Sequence, residues 1–276
     1  MFEEISIDTK VKLNNGVEMP VFGLGTYQAR KGEAREAVLQ ALEVGYRLID
    51  TASMYGNEED IGEALRKSGL PREEVFITTK LWNSDHGYNN ALAAFEESRK
   101  KLGLDYVDLY LIHWPVESLR NETWKAMEKL LEEGKCRAIG VSNYMIWHLE
   151  ELLSHSSTIP AVNQVEFHPY LYLKDLLDFC HSHDIRLESY SPLTKGEKLD
   201  DPRLASLASK YSKTPAQILI RWVLQKGVIV IPKSSRKEKI EENADVFDFM
   251  ILPEDMNALD FFHLNLRTSW DPSKIP

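Results

Sequence analysis

The feature that most limits what this chain can fold into is an alternation. Strand-like runs occur at 21–26, 47–52, 75–82, 107–114, 137–143, 161–167, 186–191 and 228–233. Between them lie segments with apolar residues at helical spacing, such as Ala34 to Val44, Leu92 to Leu102 and Thr123 to Glu133. Gly45, Gly103 and Gly134 stand where these helices should end. Asp201-Pro202 and Thr214-Pro215 each pair an N-cap with proline at the first helical position. Eight strands alternating with helices leave two architectures, a closed (β/α)8 barrel or an open doubly wound sheet.

The barrel is favoured for a concrete reason. A doubly wound dinucleotide-binding unit needs G-x-G-x-x-G at a strand-to-helix turn. The only approach to it is Gly23-Leu24-Gly25, where Gln28 fills the third position, and it precedes any helix. Ahead of the alternation, VKLNNGVEM from Val11 to Met19 reads as a short hairpin turning at Asn14-Asn15-Gly16. The expected fold is therefore an α/β (β/α)8 TIM barrel with an N-terminal β-hairpin closing its bottom. All 276 residues belong to one domain in this reading, without linkers or internal repeats.

Composition removes several classes of function. A formal net charge of −10 argues against nucleic acid or an anionic membrane as the main partner, unless a local basic patch interrupts it. Cys136 and Cys180 fit no metal or redox motif and read as buried thiols of a reducing compartment. The opening MFEEISIDTK is acidic and lacks a leader's apolar segment. No apolar run approaches the roughly 18 residues that a membrane span requires. A cytoplasmic protein is the expectation, and no metal site is apparent. His181-x-His183 falls where a helix is expected, so the two rings face apart and read as surface histidines.

In a parallel barrel the C-terminal strand ends form one mouth, and reactive residues collect there. The expected strand ends are Thr26, Asp50, Lys80, His113, Ser142-Asn143, Gln164, Tyr190-Ser191 and Lys233, with Tyr55 in the loop beyond Asp50. Phe76 and Thr78 share the face of Lys80, which points the lysine stem inward. Singly, each has an ordinary structural explanation. Glu166 and Glu188 share strand parity with Gln164 and Tyr190, so both are expected to point inward, with no partner that the sequence identifies.

Taken together, the motifs resemble the aldo-keto reductases. The matching segments are DTASMYGNE (50–58), TKLW (79–82), LIHWP (111–115), GVSN (140–143), NQVEFHP (163–169), YSPL (190–193) and IPKS (231–234), followed by Glu242-Asn243. The nearest flavour is a bacterial group similar to prostaglandin F synthase, 2,5-diketo-gluconate reductase and glyoxal reductase. The resemblance implies hydride transfer from a nicotinamide to a carbonyl. Tyr55 would donate the proton, and Lys80 would make that phenol a better acid. Asp50 would pair with Lys80, and His113 would orient the carbonyl oxygen.

It also implies a cofactor site. Ser142, Asn143 and Gln164 match the carboxamide-holding residues, and Tyr190 the aromatic that stacks on the nicotinamide. Ser191 and Leu193 follow along the pyrophosphate, with Thr26 and Asp50 near the ribose. Lys233-Ser234-Ser235-Arg236-Lys237-Glu238-Lys239 carries four positive charges and one negative ahead of an expected helix, a setting for a 2′-phosphate. With Glu242 and Asn243 completing this stretch, NADPH (NADP+) is the expected cofactor. Lys239 stands where the family usually has Arg, which keeps charge but loses the planar fork.

Tyr27, Met54, Trp82, His113 and Trp114 match substrate-pocket positions. Short stretches at 115–123 and 194–200, and a brief tail after Phe261, imply an open mouth. The expected activity is reduction of small aldehydes and 2-oxoaldehydes such as methylglyoxal by a monomer without an obligate protein partner. Reduction of one specific keto-sugar acid or ketone is the nearest alternative. Two readings from other classes stand beside it: a Schiff-base aldolase using Lys80, and a nicotinamide-sensing subunit.

Overall fold

The computed structural model describes residues 5–30 and 32–276; the first four residues of the acidic opening lie outside them. β1 (Lys10–Lys12) and β2 (Glu18–Pro20) pair antiparallel with Val11 opposite Met19. Their loop has three residues, because Leu13 N–H donates to Val17 O at 2.8 Å across Asn14, Asn15 and Gly16. Only Gly16 needs positive φ, at 88°, so the turn is the three-residue kind and not the two-residue Asn-Gly type. Asn15 Nδ2 donates to Arg137 O, and the Arg186 guanidinium donates to Lys12 O. Those partners stand at the N-terminal ends of barrel strands, which seats the hairpin across the bottom.

Eight parallel strands follow, each in its expected place. They are β3 (Leu24–Gly25), β4 (Leu48–Asp50), β5 (Phe76–Leu81), β6 (Val107–Ile112), β7 (Cys136–Ser142), β8 (Val162–Glu166), β9 (Arg186–Tyr190) and β10 (Ile229–Val230). They pair in sequence order from β3 to β10. Parallel bridges Phe22–Val230 and Gly25–Lys233 then join the last strand to the first and close the barrel. Closure is tight at Gly25, where a Cβ would stand 2.9 Å from Ile231 O. The first and last strands are the shortest because their backbones meet at only a few points.

The crossovers are α1 (Glu33–Val44), α2 (Glu58–Ser68), α3 (Tyr88–Leu102), α4 (Arg120–Glu132), α5 (Ile146–His155) and α6 (Lys174–Ser182). α7 (Pro202–Lys210) and α8 (Pro215–Gln225) lie between β9 and β10, and α9 (Lys237–Ala244) and α10 (Pro253–Asp260) follow β10. The expected caps are present: Asp201 accepts from Arg203 N, and Thr214 and Gln217 form a reciprocal capping box. α8 is buried from Ala216 to Gln225. Its polar stripe at Gln217, Arg221 and Gln225 holds the irregular chain beyond α9 through the carbonyls of Asp245, Val246 and Ile251. No helix among the described residues is long and apolar enough to cross a membrane. Cys136 and Cys180 are buried and unpaired.

Candidate active site

The C-terminal ends of the strands open into a cavity of about 650 Å³. Lys80, at the end of β5, is fully buried, and its ammonium has three hydrogens to place. Two partners are the Asp50 carboxylate oxygens at the end of β4, at 2.6 and 2.8 Å, and the third is Thr51 O at 2.9 Å. Tyr55 Oη is the fourth and weakest neighbour, at 3.5 Å. Lys80 therefore acts on the phenol mainly as a nearby charge, with its own hydrogens committed elsewhere.

Thr26 Oγ1 donates to Asp50 O at 2.8 Å, which ties the end of β4 to the adjacent end of β3. Thr26 is buried beneath the cavity, and its neighbours Gly25 and Tyr27 line it. Burial pushes the Tyr55 phenol well above its ordinary range, and the charges of Asp50, Tyr27 and Glu188 add to this. Burial also raises the Asp50 carboxyl, against the pull of Lys80 and Gln164. Burial and the Lys80 ammonium hold His113 well below the ordinary imidazole range, so it is neutral at pH 7. His113 Nδ1 is buried without a partner among the described residues, which leaves Nε2 as the nitrogen facing the cavity.

A polar row crosses the ends of the next three strands. Ser142 Oγ donates to Gln164 O at 2.8 Å. Asn143 has φ 64°, a left-handed turn that asparagine tolerates, and this brings Nδ2 to His113 O at 3.0 Å. Tyr190 Oη donates to Asn143 Oδ1 at 2.8 Å. Ser191 and Leu193 continue the lining, and Lys233 lies at its far side. The remaining basic-turn residues are outside the cavity. Arg236 is exposed and precedes α9, whereas Lys239 is paired with Glu242, so the local charge is less free than the sequence implies. Ser234 and Ser235 are half-buried on this turn, and Asn243 is buried behind it. Among the described residues, no group of three or more His, Cys, Asp or Glu side chains could hold a metal ion.

Aromatic side chains gather beside Tyr55 and His113. Tyr27 packs on Tyr55 with centroids 5.1 Å apart, and Trp82 meets His113 edge-on at 5.2 Å. The sequence matches the model of the Aldo/keto reductase family over residues 21–262.

The chain is an aldo-keto reductase. It is 51% identical over 271 residues to glyoxal reductase of Bacillus subtilis (strain 168), covering 98% of each chain. It is 50% identical to 9,11-endoperoxide prostaglandin H2 reductase of Trypanosoma cruzi (strain CL Brener), covering 96% of this chain and 95% of that one. The crystal structure of a Bombyx mori aldo-keto reductase in complex with NADP superposes with a TM-score of 0.92 at 38% identity, covering 99% and 98% of the two chains. This aldo-keto reductase is an oxidoreductase, which sets aside the aldolase and sensor readings. Geometry agrees on the aldolase, since a Schiff base needs a free amine and Lys80 is buried against Asp50.

The tail corrects one expectation about this enzyme. Residues 267–270 return to line the cavity, so the brief tail does not leave that side open. Trp270 sits 5.5 Å from Trp114 and 6.3 Å from Trp82. The cause is Glu166, which accepts from Thr268 N at 2.8 Å, Thr268 Oγ1 at 2.6 Å and Ser269 N at 3.2 Å. Lys195 Nζ donates to Thr268 O, tying the tail to the loop after β9. Sequence reading missed Arg267, Thr268, Ser269 and Trp270, although an inward Glu166 without a partner was the available signal.

Proposed function

We propose that this aldo-keto reductase uses NADPH to reduce small aldehydes and 2-oxoaldehydes to alcohols. The observation that carries the reading is the Asp50–Lys80–Tyr55 cluster beneath His113, a proton donor and an oxygen-orienting group at the base of an aromatic cavity. The residues present suit a nicotinamide dinucleotide. Tyr190 supplies a flat ring, Ser142, Asn143 and Gln164 a polar row, and Lys233 and Arg236 two exposed cations for a 2′-phosphate. A reduced nicotinamide supplies the hydride when bound.

The chain's own residues handle the oxygen. Nε2–H of neutral His113 donates to the carbonyl oxygen and orients it. As negative charge grows there, Tyr55 Oη gives up its proton. A buried phenolate is costly, and the ammonium of Lys80 offsets that cost. As the phenolate forms, the charge draws a Lys80 hydrogen away from Thr51 O, while Asp50 keeps the ammonium in place. Tyr27, Met54, Trp82, Trp114 and Trp270 give the cavity around the reacting atoms its apolar lining.

One observation favours small, dicarbonyl-like substrates: a relative at 51% identity is named a glyoxal reductase. NADPH oxidation followed by absorbance across aldehydes, methylglyoxal and bulky ketones tests the reading, with NADH in parallel. High efficiency with methylglyoxal and a clear preference for NADPH are expected. Equal efficiency with NADH would remove the cofactor preference, and selectivity for a bulky ketone would remove the substrate class.

A further inference from the structure

We propose that Glu188 is a positioning residue, which fixes the end of the Gln164 amide that faces the cavity and thereby lets the enzyme read a nicotinamide carboxamide through its N–H. The inference rests on the proposed reading of Gln164 as a carboxamide partner, and deepens it.

The side-chain amide of Gln164 has two hydrogens on Nε2 and two acceptor sites on Oε1. Both hydrogens are committed: one goes to Asp50 Oδ2 at 2.8 Å and the other to Glu188 Oε2 at 2.8 Å. These carboxyl groups come from opposite directions. Asp50 ends β4 across the barrel, whereas Glu188 is the register partner of Gln164 on the adjacent strand β9. Gln164 Oε1 accepts no hydrogen bond from the described residues, and Gln164 lines the cavity. The amide therefore shows the cavity an acceptor. Turned over, its oxygen would face two carboxyl groups.

Asp50 holds the amide through one oxygen only, Oδ2, which it shares between Gln164 and Lys80. Glu188 is the group with no other work. It is fully buried, its one hydrogen bond goes to Gln164, and its Oε1 has no partner among the described residues. An ionised carboxylate in that setting would carry an unmatched charge, so the spare oxygen holds a proton at pH 7. Burial, with the Asp50 charge, agrees by pushing the carboxyl up to about 8. An apolar side chain would avoid the whole penalty but would leave the amide free to turn.

A bound carboxamide carries both an N–H and a C=O, and an outward acceptor selects the N–H. The 3-acetylpyridine analogue of NADP+ keeps the carbonyl and lacks that N–H, so it is the discriminating probe. Binding of NADP+ and of the analogue is measured by quenching of tryptophan fluorescence in the wild type and in E188Q, E188A and E188L. Wild type should prefer NADP+ about five- to tenfold, the worth of one hydrogen bond. E188Q keeps an acceptor for Gln164 and should retain the preference. E188A and E188L should bind the two ligands within about twofold of each other. E188L fills the volume that E188A empties, so a fold damaged by a cavity does not decide the result. Retention of the wild-type preference in E188A or E188L overturns the role of Glu188. A wild type that binds both ligands equally overturns the Gln164 reading on which it rests, and failure to bind NADP+ overturns the proposed cofactor as well.

Discussion

Two glutamates on neighbouring strands, Glu166 on β8 and Glu188 on β9, are equally buried and behave oppositely. Glu166 gathers donors from Thr268, Ser269 and His168. Burial alone would raise its carboxyl, but the bonds from His168 and Thr268 outweigh burial and hold it below the usual range. Glu188 has one donor, and burial wins. The difference teaches that donor number, more than depth, decides which buried acid carries charge here. It also separates two tasks: the Glu188 side belongs to the floor under the reacting atoms, and the Glu166 side holds the tail that closes the rim.

The sharpest way to break this division is to damage the floor. Tyr55→Phe removes the proposed proton donor and little else, so kcat should fall roughly 100- to 10,000-fold with cofactor affinity kept. Stopped-flow turnover and fluorescence titration check it, and near-normal turnover would discard Tyr55 as the acid. Lys80→Met should lose similar activity and also stability. It leaves the Asp50 carboxyl buried without its cation, a defect worth about 3–5 kcal/mol in urea unfolding.

The two acids should also imprint opposite pH dependence on stability. The folded pKa of Glu166 is lowered, so its contribution is present above the unfolded value of 4.5 and is lost as pH falls through the folded value. That of Glu188 is raised from 4.5 to about 8. Between those limits the unfolded chain has released the proton and the folded chain keeps it. Stability therefore declines with rising pH by up to about 1.4 kcal/mol per unit from this group. Urea midpoints across pH 5–8 should flatten in E188Q and keep the wild-type slope in E166Q. A slope unchanged in E188Q would mean that Glu188 is ionised in the fold.

The rim should respond more mildly, and in binding. Thr268→Val removes one of the donors to Glu166 and loosens the segment that carries Trp270. KM for methylglyoxal should rise several-fold while kcat holds, because the floor is untouched. A fall in kcat at constant KM would show that floor and rim are not separable.

The floor was far more legible in the sequence than the rim. Asp50, Lys80, His113 and Gln164 stand at the ends of regular strands, where period two and the barrel rule place them without any knowledge of distant contacts. Tyr55 is fixed by the short turn that follows. The tail has no period to read, and its path depends on a bond between Glu166 and Thr268, 102 positions apart in sequence. The partner of Glu188 was hidden for a related reason: Gln164 lies beside it only through the β8–β9 register. Strand parity identified both acids as inward-facing and could not name what met them.

The smallest expected effect applies the same logic to cations. Lys239 lies on the basic turn, yet it is paired with Glu242, which also accepts from Thr214 Oγ1. Arg236 is exposed and has no acidic partner among the described residues. A 2′-phosphate competing for Lys239 must first displace a carboxylate, so that cation contributes less than Arg236 does. The expected result is that Lys239→Ala weakens NADPH by about two- to threefold, within the range of an exposed ion pair, and Arg236→Ala by more. Both losses should shrink at high salt, and neither should alter NADH. Equal losses in the two variants would mean that the Glu242 pair opens at no cost, and donor count would then fail as the rule for this turn.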